Sequence, residues 1–524
     1  MARSSILVMG LFLASKAVGL LRERAIAHAF GAGSEIDAYV AAFKVPDILF
    51  TLIAGGALIS AFLPVFSEQL AEDEPEEAWR LASRVTNLAL LATAILGGLA
   101  AIAAPWLVAK VIAPSFAPAA QATTVDLMRI LLVSTMIFAV SGVQMGILNA
   151  FQHFLSPALA PIVYNLGILA GALVLAPHLG IQGLAWGAVI GAIGHLAVKV
   201  PSLLRFGYRW LPVLGLRDPA LHQVLRLMGP RVLSLATVQG VNIVNTNLAS
   251  ALPAGSLAAF NYAWVIAQMP QTLLGTAIAT VAFPTLAELA ARKDRAGLRE
   301  TASGALAIML SLSLPAALAL VLLGGPAISL LLETGRFDQQ AANATLLALR
   351  MFALGLVGHV AFELVARLFY AQKDTITVLY LALVALLVNL GLAFVLVGPL
   401  AQGGLALANS VAVSVEVSLG LWILQRRLGG LGLRRLGSTL LRASLASLIM
   451  AVAIQAALAA TGAALAGLGI EAVGGLWIGL IKTGIGGIVG ALAFALAAWL
   501  LRLEPALWML AALTRAGLRL RRSA

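Results

Sequence analysis

The sequence predicts an all-α polytopic membrane protein of about fourteen transmembrane helices, built as two parallel six-helix repeats plus two extra helices. Three observations carry this expectation. The chain is 61% hydrophobic and only 11% charged, where soluble domains sit near 45–50% and about 25%. Its apolar residues lie in long continuous runs. Short motifs also recur at a nearly constant offset.

An apolar excess of this size cannot be buried in soluble cores and requires lipid as solvent. A spanning helix takes roughly 20 residues, so about fourteen helices leave no room for a large soluble domain. The runs fall at 5–28, 38–66, 81–109, 125–149, 156–177, 183–204, 226–252, 256–287, 303–325, 341–369, 375–397, 403–425, 438–463 and 473–501. They are too long for barrel strands, and only helices or closed barrels satisfy the backbone in lipid. The first run follows Arg3 and resembles a signal peptide. It also holds Lys16, Arg22, Glu23 and Arg24, and many spans follow it, so it is expected to stay as the first helix.

Loop charge sets the expected orientation. Basic clusters follow the even-numbered spans: Lys199 to Arg231, Arg292 to Arg299, Lys373, and Arg426 to Arg442. The tail adds Arg515, Arg519, Arg521 and Arg522, whereas connections after odd-numbered spans hold few, such as Lys110 and Arg336. By the positive-inside rule both termini face the cytoplasm. The acidic loop with Glu72, Asp73, Glu74, Glu76 and Glu77 weighs little in that rule.

The repeat is visible in three echoes. Ala61-Phe62-Leu63-Pro64 returns as Val281-Ala282-Phe283-Pro284, with Pro64 and Pro284 220 residues apart. Asn165-Leu166-Gly167 returns as Asn389-Leu390-Gly391, and Gly183-Leu184-Ala185 as Gly404-Leu405-Ala406. Six spans per unit is an even number, so the repeat is parallel, with two lobes and a cleft expected between them. The expected divisions are a lobe at 1–215, a second lobe at 216–430, two additional helices within 431–503, and a basic tail at 504–524. Pro46, Pro64, Pro270 and Pro284 interrupt the second span of each unit, with Gly55-Gly56 between the first pair. Such breaks are either bending points or ordinary irregularity.

Several chemistries are excluded. The chain has no cysteine, hence no disulfide, iron–sulfur cluster or thiolate nucleophile. Its six histidines show no zinc-ligand spacing. There is no P-loop, so direct ATP hydrolysis is not expected. No nucleophile–base constellation points to an enzyme, and no cofactor is expected. The net charge of +12 resides in particular loops and does not point to nucleic acid.

The informative residues are charges inside spans. Lys16 lies near the midpoint of the first span, and Arg22 and Glu23 lie roughly 9–10 Å further along at 1.5 Å per residue. Lys44 lies about two turns into the second span, after Asp37. A cation at the bilayer centre costs roughly 2.5–3.5 kcal/mol. These residues are therefore expected to face a hydrated cavity or to pair with Glu23 and Asp37. A cavity with such cations suits an anionic head group such as a pyrophosphate. The alternatives are an ion-paired packing cluster, or Arg22 snorkelling to the outer interface. His359, Glu363 and Arg367 are spaced i, i+4, i+8 on the tenth span and read as either a proton relay or an ion pair near the cytoplasmic end. Glu416 and Lys482 are isolated in apolar runs, and Glu416 joins the candidates for coupling. Asn242, Asn245 and Asn247, with Gln239, make the seventh span polar, through interhelical hydrogen bonding or, alternatively, an ion site. Gly486 and Gly490 have the GxxxG spacing of close helix packing.

The stretch Ser15-Lys16-Ala17-Val18-Gly19 through Arg22, then Phe30-Gly31-Ala32-Gly33-Ser34-Glu35-Ile36-Asp37-Ala38-Tyr39 and Ala42-Phe43-Lys44-Val45-Pro46, resembles the MurJ/MviN family of lipid II flippases. So do Ile147-Leu148-Asn149-Ala150, Pro157-Ala158-Leu159-Ala160-Pro161, Gly335-Arg336-Phe337-Asp338 and Phe369-Tyr370-Ala371-Gln372-Lys373-Asp374-Thr375. The likeness covers about the first 430 residues. That family belongs to the multidrug/oligosaccharidyl-lipid/polysaccharide exporter superfamily. The resemblance implies a 6+6+2 architecture, a central cavity for the lipid II pyrophosphate, and a hydrophobic groove for the polyprenyl tail involving the two extra helices. It places the family's cavity cations on Lys16 and Arg22, an acidic residue on Glu23 and a functional aspartate on Asp37. It also implies the bacterial cytoplasmic membrane as location, with membrane lipids and cell-wall synthesis enzymes as further partners. Phe50 and Val265 stand where many members have arginine, and Gln268 replaces a common acidic residue. Two other readings stay open: an exporter of another polyprenyl-linked glycan or an amphipathic drug, and a non-transporting cell-wall scaffold. The energy source is expected to be the membrane potential or a sodium or proton gradient.

Overall fold

The computed structural model describes residues 2–71, 75–467 and 475–503. Glu72, Asp73, Glu74 and the basic tail at 504–524 lie outside the described residues. The described residues form fourteen helices and no strand. They are α1 (Ala2–Phe30), α2 (Ser34–Ala71), α3 (Glu76–Ile112), α4 (Pro118–Ala150), α5 (Leu155–Leu179), α6 (Gln182–Arg205) and α7 (Pro219–Ser250). Then follow α8 (Ser256–Ala291), α9 (Arg295–Leu331), α10 (Gln339–Ala371), α11 (375–400), α12 (402–427), α13 (Leu433–Gly467) and α14 (Gly475–Leu500). The chain is a multi-pass membrane protein. Val281 is 80% exposed and Ile102 78%, which an aqueous surface would not tolerate at this density and lipid favours.

The ends of these helices follow from local chemistry. α11 and α12 run on without a loop, yet Pro399 lies at the joint and Ala401 adopts φ 48°, ψ −132°. Proline removes a helical donor, and one residue outside helical space reverses the chain. The corresponding joint of the first repeat, between α5 and α6, is the turn around Gly180. Gly183 and Gly404 then occupy equivalent places. A methyl on Gly183 would strike the Leu175–Ala176 backbone, and one on Gly404 the Leu396 backbone. That close approach is the physical content of the Gly-Leu-Ala echo.

Two other turns share one design. Lys293 and Lys373 adopt left-handed φ values of 57° and 60°. Asp294 and Asp374 follow them and cap α9 and α11, accepting from Gly297 N at 2.9 Å and Thr377 N at 2.9 Å. An aspartate at this position satisfies donors that the first turn leaves open.

The second spans are interrupted, but not at all four prolines. Pro64 and Pro284 lie inside continuous helix. The disruptions are π-helical turns at Phe50–Ala54 in α2 and Thr272–Thr276 in α8. These start 222 residues apart, so the repeat extends to an irregularity that no motif displayed. In α2 the turn ends at Gly55, whose backbone is non-helical. A π-turn shifts the register of every later side chain, and such turns concentrate at functional sites.

Contacts divide the chain into two compact units, Met1–Ala258 with Gly335–Asp338, and Ala259–Thr334 with Gln339–Ala524. In the first, Phe62 and Phe66 of α2 are fully buried beside Trp79 and Phe151. The segment after α6 lies along α3, where Asn87 Nδ2 donates to the Leu211 and Val213 carbonyls, both at 2.8 Å. In the second, α10 is central, burying Val360, Leu364, Leu368 and Phe369 against α9, α11 and α12. α13 and α14 pack on α9 through Ile454, Met450 and Leu323. The expected GxxxG packing is present: methyls on Gly486 and Gly490 would meet Leu323 at 2.6 Å and Ile454 at 2.8 Å.

Candidate functional site

The charges of α1 are organised by α5. Arg22 pairs with the buried carboxylate of its neighbour Glu23 and donates from Nη1 to Asn165 Oδ1 of α5 at 2.9 Å. One guanidinium thus meets a carboxylate and an amide, while its Nε is buried without a partner. Lys16, on the same helix, is exposed. Among the described residues it makes no ion pair, so its charge is free for an anion. Gly19 faces Asn165 between the two cations.

Asp37 is held differently from the expectation of a partner cation. It is 4% exposed, and its two oxygens accept from Gly255 N at 2.6 Å and Ala258 N at 2.7 Å. It caps the first turn of α8 from a distance of more than 200 residues along the chain, with its negative charge at the positive end of the helix. Lys44 is half-buried at the start of a short helix, Lys44–Leu49. Among the described residues it is in no ion pair, with Asp37 or any other carboxylate. Phe50, where the resembling family often has arginine, stacks edge-on against Phe138 at 5.2 Å. Phe138 in turn meets Tyr164 and His195, each at 5.1 Å. An aromatic cluster therefore fills the place of a cation.

One basic residue expected in a loop lies inside the protein. Lys199 belongs to the cluster assigned to the connection after the sixth span. In the structure it is 0% exposed, donating to Ser141 O at 2.5 Å and Ser141 Oγ at 2.6 Å. His195 Nδ1 shares that hydroxyl at 2.7 Å. Helical spacing of four places His195 and Lys199 on one face of α6, and Ser141 of α4 lies opposite. Composition alone made Lys199 a loop residue; the packing of α6 on α4 made it an internal one.

In the second unit, His359 Nε2 lies 2.9 Å from Asn409 Oδ1 of α12. Glu363 pairs with Arg367 at 2.6 Å, and Arg367 also donates to the Thr280 hydroxyl of α8 at 3.2 Å. The stripe is therefore satisfied in two separate groups. Glu416 is buried on α12, and among the described residues no hydrogen bond or ion pair reaches its carboxylate. In α7, Asn242 donates to Gln239 at 3.0 Å and Asn247 to the Val111 carbonyl at 2.7 Å. Asn247 and Gln239 tie α7 to α3 and α2, the interhelical bonding expected there. The one sequence signal for Asn165 is its echo at Asn389.

The family described as Lipid II flippase MurJ matches residues 26–467. The chain belongs to that family. It is 31% identical over 82% of its length to a lipid II flippase MurJ of Burkholderia cenocepacia, covering 84% of that protein. It is 30% identical over 87% of its length to a probable lipid II flippase MurJ of Bdellovibrio bacteriovorus, covering 88%. Its structure superposes on a lipid II flippase MurJ in an inward closed conformation with a TM-score of 0.77 at 25% identity, covering 94% of this chain and 99% of the other. An inward-facing multidrug resistance MATE family transporter shares the fold, with a TM-score of 0.66 at 18% identity and coverage of 81% and 98%.

Proposed function

We propose that this protein is a lipid II flippase: a transporter, not an enzyme, that carries the undecaprenyl-pyrophosphate-linked peptidoglycan precursor from the cytoplasmic to the outer leaflet by alternating access. The observation that carries the reading is family membership across residues 26–467 on a chain whose first helix holds Lys16 and Arg22. Its place is the bacterial cytoplasmic membrane, with both termini cytoplasmic. Its parts are the repeat lobes at 1–215 and 216–430, the additional helices within 431–503 and the tail at 504–524.

The chemistry needed is capture of a doubly substituted pyrophosphate without hydrolysis. Lys16 supplies an unpaired ammonium, and Lys44, with the Asp47 carboxylate one turn on, a second cation. Arg22 is oriented by Glu23 and Asn165 and, with its side chain 23% exposed, offers further Nη donors to a phosphate oxygen. Glu23 keeps the net charge of the pair near zero, which lets the cargo leave again. Asp37 fixes the chain entering α2 rather than meeting the cargo.

Lys16→Ala and Arg22→Ala are each expected to abolish growth of a flippase-depleted bacterium while membrane insertion stays normal. Growth at the wild-type rate with both variants would remove these residues from the mechanism. Transport of lipid II compared with a cationic dye in the same vesicles checks the cargo, because the cations repel the dye.

A further inference from the structure

Lys482, isolated in the sequence, lines a partly open cavity of about 350 Å³ at one end of α9, α10 and α14. That volume is in the range of small-ligand sites, about 300–1,000 Å³. Glu333, just beyond α9, lines the same cavity, as do Ser329 and the amides Gln339 and Asn343 on the first turns of α10. Among the described residues neither Lys482 nor Glu333 is in an ion pair. Two opposite charges face one small volume without neutralising each other. A cavity whose purpose was packing would close them together or exclude them both.

The frame is rigid. A methyl on Gly479 would lie 2.7 Å from Leu330 N and 2.9 Å from Pro326 O, so α14 is seated directly on the α9 backbone. Depth is also indicated. Trp477, 57% exposed, stands two residues before Gly479, and exposed tryptophans mark the membrane–water interface. Lys482 lies roughly 7–8 Å further in at 1.5 Å per residue, and a helical side chain leans toward the helix N-terminus, which brings its ammonium back toward the interface and the lipid phosphates. A lysine that only snorkelled would need no carboxylate across a cavity.

We propose that this cavity holds the head group of a zwitterionic aminophospholipid, its phosphate at Lys482 and its ammonium at Glu333. Gln339, Asn343 and Ser329 supply hydrogen bonds to the phosphate and glycerol oxygens, and the acyl chains run along the exposed apolar face of α14 that includes Leu480. This is a site for a resident lipid, independent of the lipid II reading, and its test contains no lipid II.

The test is native mass spectrometry of the delipidated full chain in detergent, with phosphatidylethanolamine, phosphatidylglycerol and inorganic phosphate added singly. The wild type is expected to retain phosphatidylethanolamine about tenfold over phosphatidylglycerol, the effect of one charge-assisted hydrogen bond. Glu333→Gln, close to isosteric, should erase that excess, whereas Lys482→Ala should lower retention of both lipids about tenfold and Lys482→Arg should restore most of it. Equal retention of the two lipids by the wild type would overturn the proposal. So would an excess that survives Glu333→Gln, or lipid retention that Lys482→Ala leaves unchanged. Inorganic phosphate binding that depends on Lys482 while phosphatidylethanolamine shows no preference would mean a simple anion site, and would equally overturn it.

Discussion

Asp374 shows how one residue outside the membrane serves two helices. It caps α11 through Thr377 and pairs with Arg427 at 2.5 Å, at the end of α12. Burial pushes its carboxyl up, but the hydrogen bonds of Thr377 and the Arg427 guanidinium outweigh that and hold it below the usual carboxylate range. A depressed folded value contributes stability that is present above the unfolded value, about 3.9, and is lost as the pH falls through the folded value. Asp374→Asn is therefore expected to lower the unfolding temperature at pH 7, with a gap that narrows below about pH 4. Thermal unfolding of the purified protein at the two pH values checks this. A gap unchanged at low pH would exclude the ionised pair as its cause. The site residues were legible to different depths. A lysine, an arginine and a glutamate inside an apolar run announce themselves by cost alone. Asn165 does not, because an amide is cheap in a membrane helix. Asp37 looked like a cation's partner and proved to be a cap, since Gly255 and Ala258 lie far from it in sequence.

At the scale of the element, the irregularities carry the information. Apolar runs located every helix, with ends within eight residues. They could not show the π-turns of α2 and α8, because a five-residue change in hydrogen bonding leaves no mark on hydropathy. Glycine positions did leave one. Gly183 and Gly404 recur because backbone approaches backbone there. Gly183→Ala and Gly404→Ala are expected to lower the unfolding temperature, by about 1–3 kcal/mol of strain each. Gly98→Ala should be neutral or stabilising, since a methyl there meets nothing within 4 Å and alanine is the better helix former. Equal unfolding temperatures for all three variants would refute the close-approach argument. The same reasoning explains Lys199. Its position at the end of an apolar run reads as loop, and only the spacing to His195 and the opposing Ser141 make it internal.

For the molecule as a whole, transport needs a driving force, and the sequence carries no P-loop to supply it from ATP. Membrane potential acts on charge at about 2.3 kcal/mol per elementary charge per 100 mV. An anionic cargo moving outward is favoured by an inside-negative potential. In vesicles, net movement of lipid II is expected to follow the imposed potential and to stop when it is collapsed. Movement sustained at zero potential by a sodium or proton gradient would assign the coupling to an ion instead, with Glu416 and Asn242 the first residues to substitute.

The sequence by itself determined the membrane solvent, the number of helices, the duplication and the family, because these rest on composition, run length and offset, which are properties of the chain in one dimension. Tertiary structure alone decided what each polar residue touches. It turned Asp37 into a cap, gave Arg22 its asparagine and placed Lys199 inside. It also brought Lys482 and Glu333 to one cavity. The reason is physical. Lipid makes an unpartnered charge expensive whatever the fold, so its presence can be read from sequence. Which partner lowers that cost depends on helices packed side by side from distant parts of the chain.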